Sequence, residues 1–479
     1  MIYFISALIA IIPIFLLVIL IRTFNFKPID IPNQILGEIS FDSYKAVEDL
    51  RKLIRCKTVS FADSSLEDNQ EFQKLLDLLP EIYPNVFRVC DYKTFPERAI
   101  LFKWSGKNHN EPAVLMAHYD VVPVNEDGWE KPPFDAVLED GCIWGRGTLD
   151  TKATFSSILF SANHLIANGF VPENDIYLAF SGSEEINGKG AENIVRFFEE
   201  NGIIPSMVLD EGGAVVENVF PGVTKPCGLI GIAEKGIMNV EFSSKSQGGH
   251  ASAPKPHTPV GKVSSACVKI ENKPFKAHLT KPVSLMFDTL GRHSTFLYRM
   301  IFANMWAFGW IIDIICKKNG GELNALMRTT LAFTQMSGSS APNVIPHNAS
   351  MVANIRLNPH DNIDSALEYI KSAVNDRDIE IKLIKGMNPS RISRTDCKGY
   401  ELVNKAIEAT WKDTIVSPYL MVQCSDSRHY SRISDKVYRF SAMDLTSKER
   451  ASIHGNNEKI RIEALKKTTE FFLRLINEL

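Results

Sequence analysis

The sequence lacks the short signatures of several enzyme classes. It contains no Gly-x-Ser-x-Gly segment and no His-Glu-x-x-His segment, so neither a serine hydrolase with a nucleophile elbow nor a single-zinc enzyme of the helix-motif type is indicated. A glycine-rich loop ending in Lys-Ser or Lys-Thr is missing too, and with it the usual signature of nucleoside triphosphate binding. Internal repeats and low-complexity segments are also missing, so neither a solenoid nor a disordered chain is expected.

Basic residues are not in excess. The chain has 53 Lys and Arg residues against 56 Asp and Glu residues, and its formal net charge is −3. A protein that binds nucleic acid needs a basic face that neutralises phosphates, and this composition gives no reason to expect one. We therefore expect no nucleic acid partner.

Closely spaced cysteine pairs are missing as well. The eight cysteines stand at irregular spacing, and no Cys-x-x-Cys pair occurs among them. This pattern neither proves nor excludes disulfides.

The first 21 residues contain no charged side chain. At about 1.5 Å per residue, this stretch is long enough to span a bilayer. A cleaved signal peptide is the alternative, although no basic residue precedes the apolar run and no small-x-small cleavage site follows it. We predict a transmembrane anchor or signal segment over residues 1–23 and a stalk over 24–40. The catalytic part would be lumenal or extracellular, or secreted after cleavage, although Arg22 and Lys27 lie where the positive-inside rule places the cytoplasm.

Length and rhythm predict more than one domain. With 479 residues, the chain exceeds a single typical core. From Arg98 onward, apolar strands alternate with helices, which is typical of an α/β domain with helices on both faces of a mixed sheet. Near Gly236 the order becomes βαββαβ, which is ferredoxin-like, before the α/β rhythm returns. We predict a catalytic domain in two parts, 41–236 and 388–479, interrupted by a lid domain over 237–387.

An apolar tract lies within the predicted lid. Residues Phe296–Cys316 include Trp306 and Trp310, but also Arg299 and Asp313. These charges would make a membrane span costly. We therefore predict a helix that is buried or lies against a membrane, rather than a second span.

Side chains that bind metals follow three predicted strands of the α/β part. Ligands of such sheets gather at the carboxyl ends of the strands. The residues at these ends are His118 and Asp120, Glu184 and Glu185, and Asp210 and Glu211. Each pair alone is typical of a polar strand end, whereas three such ends at one edge predict a metal site.

Two further residues complete this hypothesis. Asp150 follows Gly145-x-Gly147, and between two cations it would bridge them at the roughly 3.5–4 Å separation of two-metal sites. His454 belongs to a loop near the far end of the chain and gains importance in company with the other residues. Of two adjacent glutamates, one can bind a cation while the other takes a proton from an activated water.

Seven segments, taken in order, are similar to a known family. They are His118-Tyr119-Asp120, Gly145–Lys152, Ser183-Glu184-Glu185, Asp210–Gly213, Gly249–Pro254, Pro342–Pro346 and His454. In this order they resemble the di-zinc aminoacylase and carboxypeptidase family of amidohydrolases, and most closely its carboxypeptidase S and N-acyl-amino-acid hydrolase branch. The resemblance covers nearly everything after residue 40, and it implies a zinc-binding α/β domain with a ferredoxin-like lid.

The resemblance also implies a metal site with two zinc ions per chain. One ion would be held by His118, Asp150 and Asp210, and the other by Asp150, Glu185 and His454. Glu211 is the alternative to Asp210. Glu184 would be the general base, and Asp120 would hold the ring of His118.

The lid would supply the residues that meet the substrate. The resemblance implies that His250 stabilises the oxyanion of the tetrahedral intermediate, and that Asn343 and Arg356 bind substrate, Arg356 through a carboxylate. A homodimer through the lid is a further expectation from the family.

The resulting hypothesis is a zinc-dependent hydrolase that cleaves the amide bond next to a free carboxylate. Its substrate would be a peptide or an N-acyl amino acid, and the apolar tract with Trp306 and Trp310 favours an acyl chain or a hydrophobic side chain. The alternative is a non-catalytic binding or scaffold protein on the same fold. Loss of ligands would mark that alternative, and none of the ligands is missing from the sequence.

Overall fold

The computed structural model describes residues 2–28, 37 and 39–479, excepting the side chains of residues 2–11. Residues 29–36 and 38 of the predicted stalk lie outside the described residues. The α-helices are α1 (Ile2–Asn25), α2 (Ser43–Ile54), α3 (Asn69–Ile82), α4 (Pro84–Val89), α5 (Lys152–Ala167), α6 (Gly190–Glu200), α7 (Pro259–Glu271), α8 (Lys281–His293), α9 (Phe296–Ala303), α10 (Met305–Asn319), α11 (Gly321–Met327), α12 (Ile363–Val374), α13 (Lys398–Thr410), α14 (Ser447–Ser452) and α15 (Ile462–Asn477).

The strands form four sheets within the described residues. They are β1 (Asp91–Phe95), β2 (Ala99–Trp104), β3 (Asn108–His118), β4 (Val137–Glu139), β5 (Cys142–Trp144), β6 (Asn174–Ser181), β7 (Met207–Val216), β8 (Cys227–Glu234), β9 (Gly236–Lys245), β10 (Gly249–His250), β11 (Thr330–Ser337), β12 (Val344–Ile345), β13 (Asn348–Leu357), β14 (Glu380–Met387), β15 (Ile415–Met421), β16 (Val437–Leu445) and β17 (Lys459–Arg461).

An eight-stranded sheet forms the centre of the larger part, in the order β1-β2-β6-β3-β7-β16-β8-β15. β3 pairs in parallel with β6 and β7, whereas β1, β2 and β6 pair in antiparallel fashion along the other edge. The second half of β3 is buried, as the apolar run Ala113–Ala117 predicts for a central strand. The predicted mixed sheet is confirmed.

Helices cover both faces of this sheet, also as predicted. On one face α5 and α15 pack together, and Phe155 and Phe471 join the buried cluster that contains Leu115. On the other face α6 places Phe198 in a cluster with Val114. Val114 and Leu115 face opposite ways because side chains alternate along a strand.

A second sheet of four antiparallel strands has the order β11-β13-β9-β14. Helices α7 and α12 contribute Val263 and Ile370 to a separate buried cluster with Val240 and Ile355 of the sheet. The strands and these two helices follow the predicted βαββαβ order along the chain. We call this unit the small domain.

The chain returns to the central sheet after the small domain. β15 pairs in parallel with β8 at one edge, and β16 inserts between β7 and β8. The larger part is therefore built from both ends of the chain.

The apolar tract Phe296–Cys316 forms two helices, not the one that we predicted. α9 and α10 meet at Asn304 with a bend of 109°. Phe302 and Ala303 are the buried residues of α9, and Ile312 and Cys316 are those of α10. A fully buried helix is therefore not what the chain forms here.

The N-terminal helix α1 packs against α9. The side chain of Asn304 donates a hydrogen bond to the carbonyl oxygen of Ile19 at 3.2 Å, and Arg22 Nε donates to the carbonyl oxygen of Ala303 at 3.1 Å. Among the described residues, no single helix is long and apolar enough to cross a membrane, and α9 and α10 reach that length and apolar character only together, as a bent pair. The predicted transmembrane anchor is thus not supported.

Candidate metal centre

Two neighbouring parallel strands of the central sheet, β3 and β6, end at one edge, whereas Asp210 and Glu211 lie within β7, which continues to Val216, and not after its end as predicted. His118 ends β3 and is in register with Ser181, the last residue of β6. Glu184 and Glu185 follow in the loop after β6, and β7 runs parallel to β3 on its other side. The predicted metal-binding residues therefore meet because parallel strands share one carboxyl edge.

Asp150 lies between the two predicted histidine ligands. Its Oδ1 lies 2.9 Å from Nε2 of His118, and its Oδ2 lies 3.0 Å from Nε2 of His454. Nε2 of His454 also lies 3.2 Å from Oε2 of Glu185. One carboxylate thus presents an oxygen to each of two histidines, which is the geometry expected of a bridging ligand.

Glu211 and Asp210 have different surroundings. Oε1 of Glu211 lies 3.5 Å from Nε2 of His118. Asp210 Oδ2 instead accepts a hydrogen bond of 2.9 Å from the backbone N–H of Ser427. The structure therefore brings Glu211 to the cluster, whereas Asp210 is held by the loop after β15.

Asp120 supports both the histidine and the glutamate pair. Nδ1 of His118 lies 3.0 Å from the backbone oxygen of Asp120 and 3.4 Å from its carboxylate. The same carboxylate accepts hydrogen bonds from the backbone N–H groups of Glu184 and Glu185, both at 3.2 Å, and from Ser60 Oγ at 2.8 Å. Contacts of this kind orient metal ligands and fix the tautomer of the ring.

Glu458, to which the sequence pattern assigned no role, holds the loop that carries Asp150. Glu458 is fully buried and pairs with Arg146 Nη1 at 2.7 Å. Its carboxylate also accepts hydrogen bonds from the backbone N–H groups of Gly147, Leu149 and Asp150. The guanidinium of Arg146 in turn donates to the carbonyl oxygens of His454 and Gly455, at 3.3 and 2.9 Å. The pair therefore joins the two loops that carry Asp150 and His454.

The cluster holds more negative than positive charge. Burial raises the pKa of Glu184 well above its ordinary value, and burial together with Asp150 raises the pKa of Glu211 to about 8. Hydrogen bonds to Asp150 and Glu185 raise the pKa of His454 to about 10. Carboxylates whose charge is this costly to bury are stabilised by a nearby cation.

The residues fit a pair of divalent cations. Two groups, His118–Asp150–Glu185 and His118–Glu184–Glu211, each place three candidate ligand atoms within 4.8 Å of one another. Oε1 of Glu185 is buried without a hydrogen-bond partner among the described residues, so a donor atom is available. Imidazole nitrogens and carboxylate oxygens are the donors that zinc and related divalent ions accept.

Comparison with known proteins identifies the family. The model of peptidase family M20/M25/M40 matches residues 114–478. This chain is a member of that family. It is therefore a hydrolase of a metallopeptidase family, and the non-catalytic alternative finds no support.

Curated M20/M25/M40 relatives span almost the whole chain. A probable carboxypeptidase S-like 2 of Dictyostelium discoideum is 33% identical over 475 residues, covering 96% of this chain and 91% of that protein. The N-fatty-acyl-amino acid synthase/hydrolase PM20D1 of Xenopus tropicalis is 32% identical over 436 residues, covering 90% of this chain and 85% of that protein. The predicted branch of the family is confirmed.

Solved structures of the M20 family share the fold. A metallo-carboxypeptidase of Sulfolobus solfataricus has a TM-score of 0.64 at 19% identity, covering 92% of this chain and 100% of that chain. Human carnosine dipeptidase 1 has a TM-score of 0.62 at 16% identity, covering 91% and 96%. The YXEP protein of Bacillus subtilis, described as a dinuclear metal-binding peptidase of this family, has a TM-score of 0.53 at 11% identity, covering 91% and 98%.

A cavity of about 650 Å³ opens at the metal cluster of this M20 family member. Its wall includes Asp150, Glu184, Glu185, Glu211 and His454. The apolar lining comes from Leu149, Ala214, Val216, Leu229, Ala325, Tyr419, Met421, Val422, Leu445 and Ile453. Polar side chains, among them Glu322, Gln423 and Arg450, also line the wall, so the cavity offers both apolar and polar surface to a ligand.

None of the three predicted substrate-binding residues of the small domain lines this cavity, but Arg356 contacts its wall. His250 and Asn343 are exposed, and they adjoin one another because β10 pairs with β12. Neither lines the cavity. Arg356 lies closer, since its Nη1 donates to Sγ of Cys424 at 3.5 Å and Cys424 belongs to the cavity wall.

The two tryptophans of the apolar tract do not reach the metal cavity either. Trp306 and Trp310 line a separate surface groove of about 570 Å³, together with Lys276 and Lys317. Because Trp306 and Trp310 lie outside the metal cavity, their rings give no reason to expect an apolar substrate. The apolar lining of the metal cavity itself supports that substrate.

Proposed function

We propose that this M20 family member is a di-zinc hydrolase that cleaves the amide bond of N-acyl amino acids with long acyl chains. The observation that carries the proposal is the Asp150 carboxylate between His118 and His454, in the wall of a cavity that also exposes Glu184. A bridging carboxylate flanked by histidines is suited to two cations, and an adjacent unshared carboxylate is suited to proton transfer.

The proposed ligands of one zinc ion are His118, Asp150 and Glu211, and those of the other are Asp150, Glu185 and His454. Glu211 is preferred to Asp210 because it is Glu211 that approaches His118. The pair of ions would supply positive charge that acidifies a water molecule and polarises the amide carbonyl.

The proposed role of Glu184 is proton transfer. Its carboxylate takes a proton from the attacking water as the oxygen bonds to the amide carbon. The C–N bond then breaks, and Glu184 gives the proton to the leaving nitrogen. A raised pKa suits this double role, because the acid must both accept and release a proton near neutral pH. The products are a carboxylic acid and a free amino acid.

The small domain has a proposed part in substrate binding. Arg356 lies beside the cavity wall and is placed to receive a substrate carboxylate, to which a guanidinium binds with two hydrogen bonds. His250 and Asn343 are exposed and lie outside the cavity wall, so we propose that closure of the small domain, acting as a lid, brings them to the substrate. The homodimer through this domain stays a prediction.

The acyl preference follows from the cavity lining. The apolar side chains of the cavity share one wall with Asp150, Glu184 and His454. Burial of a long acyl chain there would contribute about 0.8 kcal/mol for each methylene group, a gain that a charged dipeptide without apolar side chains lacks. The relative from Xenopus tropicalis that is named an N-fatty-acyl-amino acid synthase/hydrolase supports this choice.

The proposed place of action is lumenal or extracellular. The apolar, uncharged start of the chain supports entry into the secretory route, with either retention or cleavage of α1.

The experiment that tests the proposed chemistry is the substitution Glu184→Gln. Glutamine has nearly the same shape but cannot take a proton, so zinc content should stay near two ions per chain while hydrolysis falls by about 10² or more. Zinc is measured by elemental analysis and hydrolysis by release of the free amino acid. Glu173→Gln, at an exposed position remote from the cluster, is the control. Retained hydrolysis in the Glu184→Gln protein would remove Glu184 from its role.

A further inference from the structure

Exposed apolar side chains are concentrated on three helices. Sixteen of the 29 exposed large hydrophobic side chains among the described residues belong to α1, α9 and α10. On α1 they are Ile12, Ile14, Phe15, Leu16, Leu17, Val18, Leu20, Ile21 and Phe24; on α9 and α10 they are Phe296, Leu297, Tyr298, Trp306, Trp310, Ile314 and Ile315. We call this set the apolar face. Soluble chains rarely leave a contiguous apolar area of this kind uncovered unless it binds something.

The apolar face is continuous across the three helices. The ring of Phe15 contacts that of Trp306 with centroids 5.5 Å apart, and the ring of Phe24 contacts that of Phe296 with centroids 5.6 Å apart. Beneath these rings, Thr23 and Asn304 are fully buried, and Asn304 donates hydrogen bonds to α1. Polar contacts therefore join the helices on the inside, while their apolar side chains point outward together.

The charges around the apolar face are mostly positive. Arg22 is the single charged residue of α1, and α9 and α10 carry Arg299, Lys317 and Lys318. Their one acidic residue, Asp313, is neutralised by the buried Arg328 and by Lys317. The whole chain has a net charge of −3, so this face differs in sign from the rest of the molecule.

We propose that, in the chain that retains α1, the apolar face binds a phospholipid bilayer that contains anionic lipids. Tryptophan and tyrosine are enriched where membrane and water meet, and basic side chains near an apolar face add attraction to anionic headgroups. The groove lined by Trp306, Trp310 and Lys276 offers an apolar wall and the ammonium group of Lys276 to one headgroup, while Lys317 in the same groove is paired with Asp313 at 2.8 Å. A second copy of the chain is a poorer occupant, because a symmetric dimer would bring these like charges together.

The position of the apolar face links it to the metal cavity. α11 follows α10 after a single residue, Gly320, and its residues Gly321, Glu322 and Ala325 line the cavity. A bilayer bound at α10 would therefore contact the helix that directly precedes α11, which forms part of the cavity wall. That a bound bilayer would bring an acyl substrate close to the cavity rests on the proposed function. Bilayer binding itself does not depend on that function.

The test is binding of the full chain to phospholipid vesicles, measured by co-sedimentation. The unaltered protein should sediment with phosphatidylcholine vesicles and more strongly when phosphatidylserine is included. Replacing both tryptophans, W306E and W310E, should weaken binding by on the order of ten-fold or more, because charged side chains do not enter the apolar layer. The double substitution L66E and I204E introduces the same charges at exposed apolar positions elsewhere and should leave binding unchanged.

Circular dichroism and hydrolysis of a short, soluble N-acyl amino acid verify that each variant is folded. If the W306E and W310E protein binds vesicles as well as the unaltered protein does, α1 alone accounts for binding and the proposal is overturned. The same holds if the unaltered chain ignores vesicles but forms a dimer in analytical ultracentrifugation that W306E and W310E abolish. Equal loss of binding in the L66E and I204E control would attribute the effect to net charge and also contradict the proposal.

Discussion

Glu458 joins parts of the metal centre that are far apart in the chain. It pairs with Arg146, 312 residues away, and its carboxylate accepts hydrogen bonds from the backbone N–H groups of Leu149 and Asp150. Sequence reasoning identified His454 in the same segment but gave Glu458 no role, because its importance depends entirely on a tertiary contact with Arg146.

Replacing Glu458 with Gln should weaken both folding and metal binding. The substitution leaves the buried guanidinium of Arg146 without its counter-ion, which costs on the order of 3 kcal/mol of unfolding free energy, and loosens the Asp150 loop, which lowers metal affinity by roughly 10–100-fold. Urea unfolding and zinc titration measure the two effects. Glu463→Gln removes an exposed partner of Lys466 and should change the unfolding free energy by less than about 0.5 kcal/mol. Equal unfolding free energies and zinc affinities in the two variants would show that the Arg146–Glu458 pair stabilises neither the fold nor the Asp150 loop.

The choice between Asp210 and Glu211 shows what a sequence cannot supply at this scale. Adjacent residues of a strand point to opposite faces, so one of the two must turn away from the metal cluster. Which one does so depends on the register of β7 against β3 and on the Ser427 N–H group that receives Asp210. The other proposed ligands follow strand ends or tight loops, where the sequence pattern is sufficient to identify them.

At the scale of elements, strands with long apolar runs were predictable and short or mixed ones were not. The apolar runs Ala113–Ala117 and Ile176–Phe180 mark β3 and β6 in the sequence, but β4, β5 and β17 have three residues each, too few to show a period. β8 contains two glycines, which weaken a strand pattern, and it was missed although every residue in it is buried. The bend at Asn304 is held by side-chain hydrogen bonds to α1, which no local pattern shows.

Helix α11 provides a test of the acyl preference. Replacing Ala325 with Phe would fill part of the apolar cavity while keeping the backbone oxygen that accepts a hydrogen bond from Lys235. We expect kcat/KM for long-chain N-acyl amino acids to fall by on the order of ten-fold, with little change for N-acetyl amino acids, because only the long chain needs that space. Ala332→Phe, at an exposed position of β11, is the control. Equal loss for both substrate lengths, or equal rates for charged dipeptides in the unaltered protein, would argue against the acyl chain.

At the scale of the whole molecule, the candidate metal centre concentrates buried acids whose ionised forms need a nearby cation. Metal removal should therefore make stability fall as the pH rises. The folded pKa of Glu211 is about 8, against an ordinary value of 4.5, so the folded state holds a proton through this range that the unfolded state has released. The folded pKa of His454 is about 10, against an ordinary value of 6.5, so this group also lowers the unfolding free energy as the pH rises between those two values.

The measurement is urea unfolding of chelator-treated protein across the range from pH 5 to pH 9, with and without added zinc. We expect the unfolding free energy of the metal-free protein to decrease steadily with pH and zinc to reverse the decrease. The Glu211→Gln protein, which lacks the titrating group, should show a shallower slope. A metal-free protein whose stability rises over this range would contradict the assignment of buried charge.

The Arg146–Glu458 contact can form only late in synthesis, because Glu458 is among the last residues that the ribosome adds. Asp150 and Glu185 leave the ribosome early, while His454 and Glu458 belong to the last segment synthesised, and β16 must still enter between β7 and β8. A nascent chain therefore has half a site, whose acids have neither their second histidine nor their loop clamp. With the ligands proposed above, loading of both ions would have to follow synthesis of the last segment, and we expect a premature stop codon that removes the last few dozen residues to give a long polypeptide that does not retain both ions.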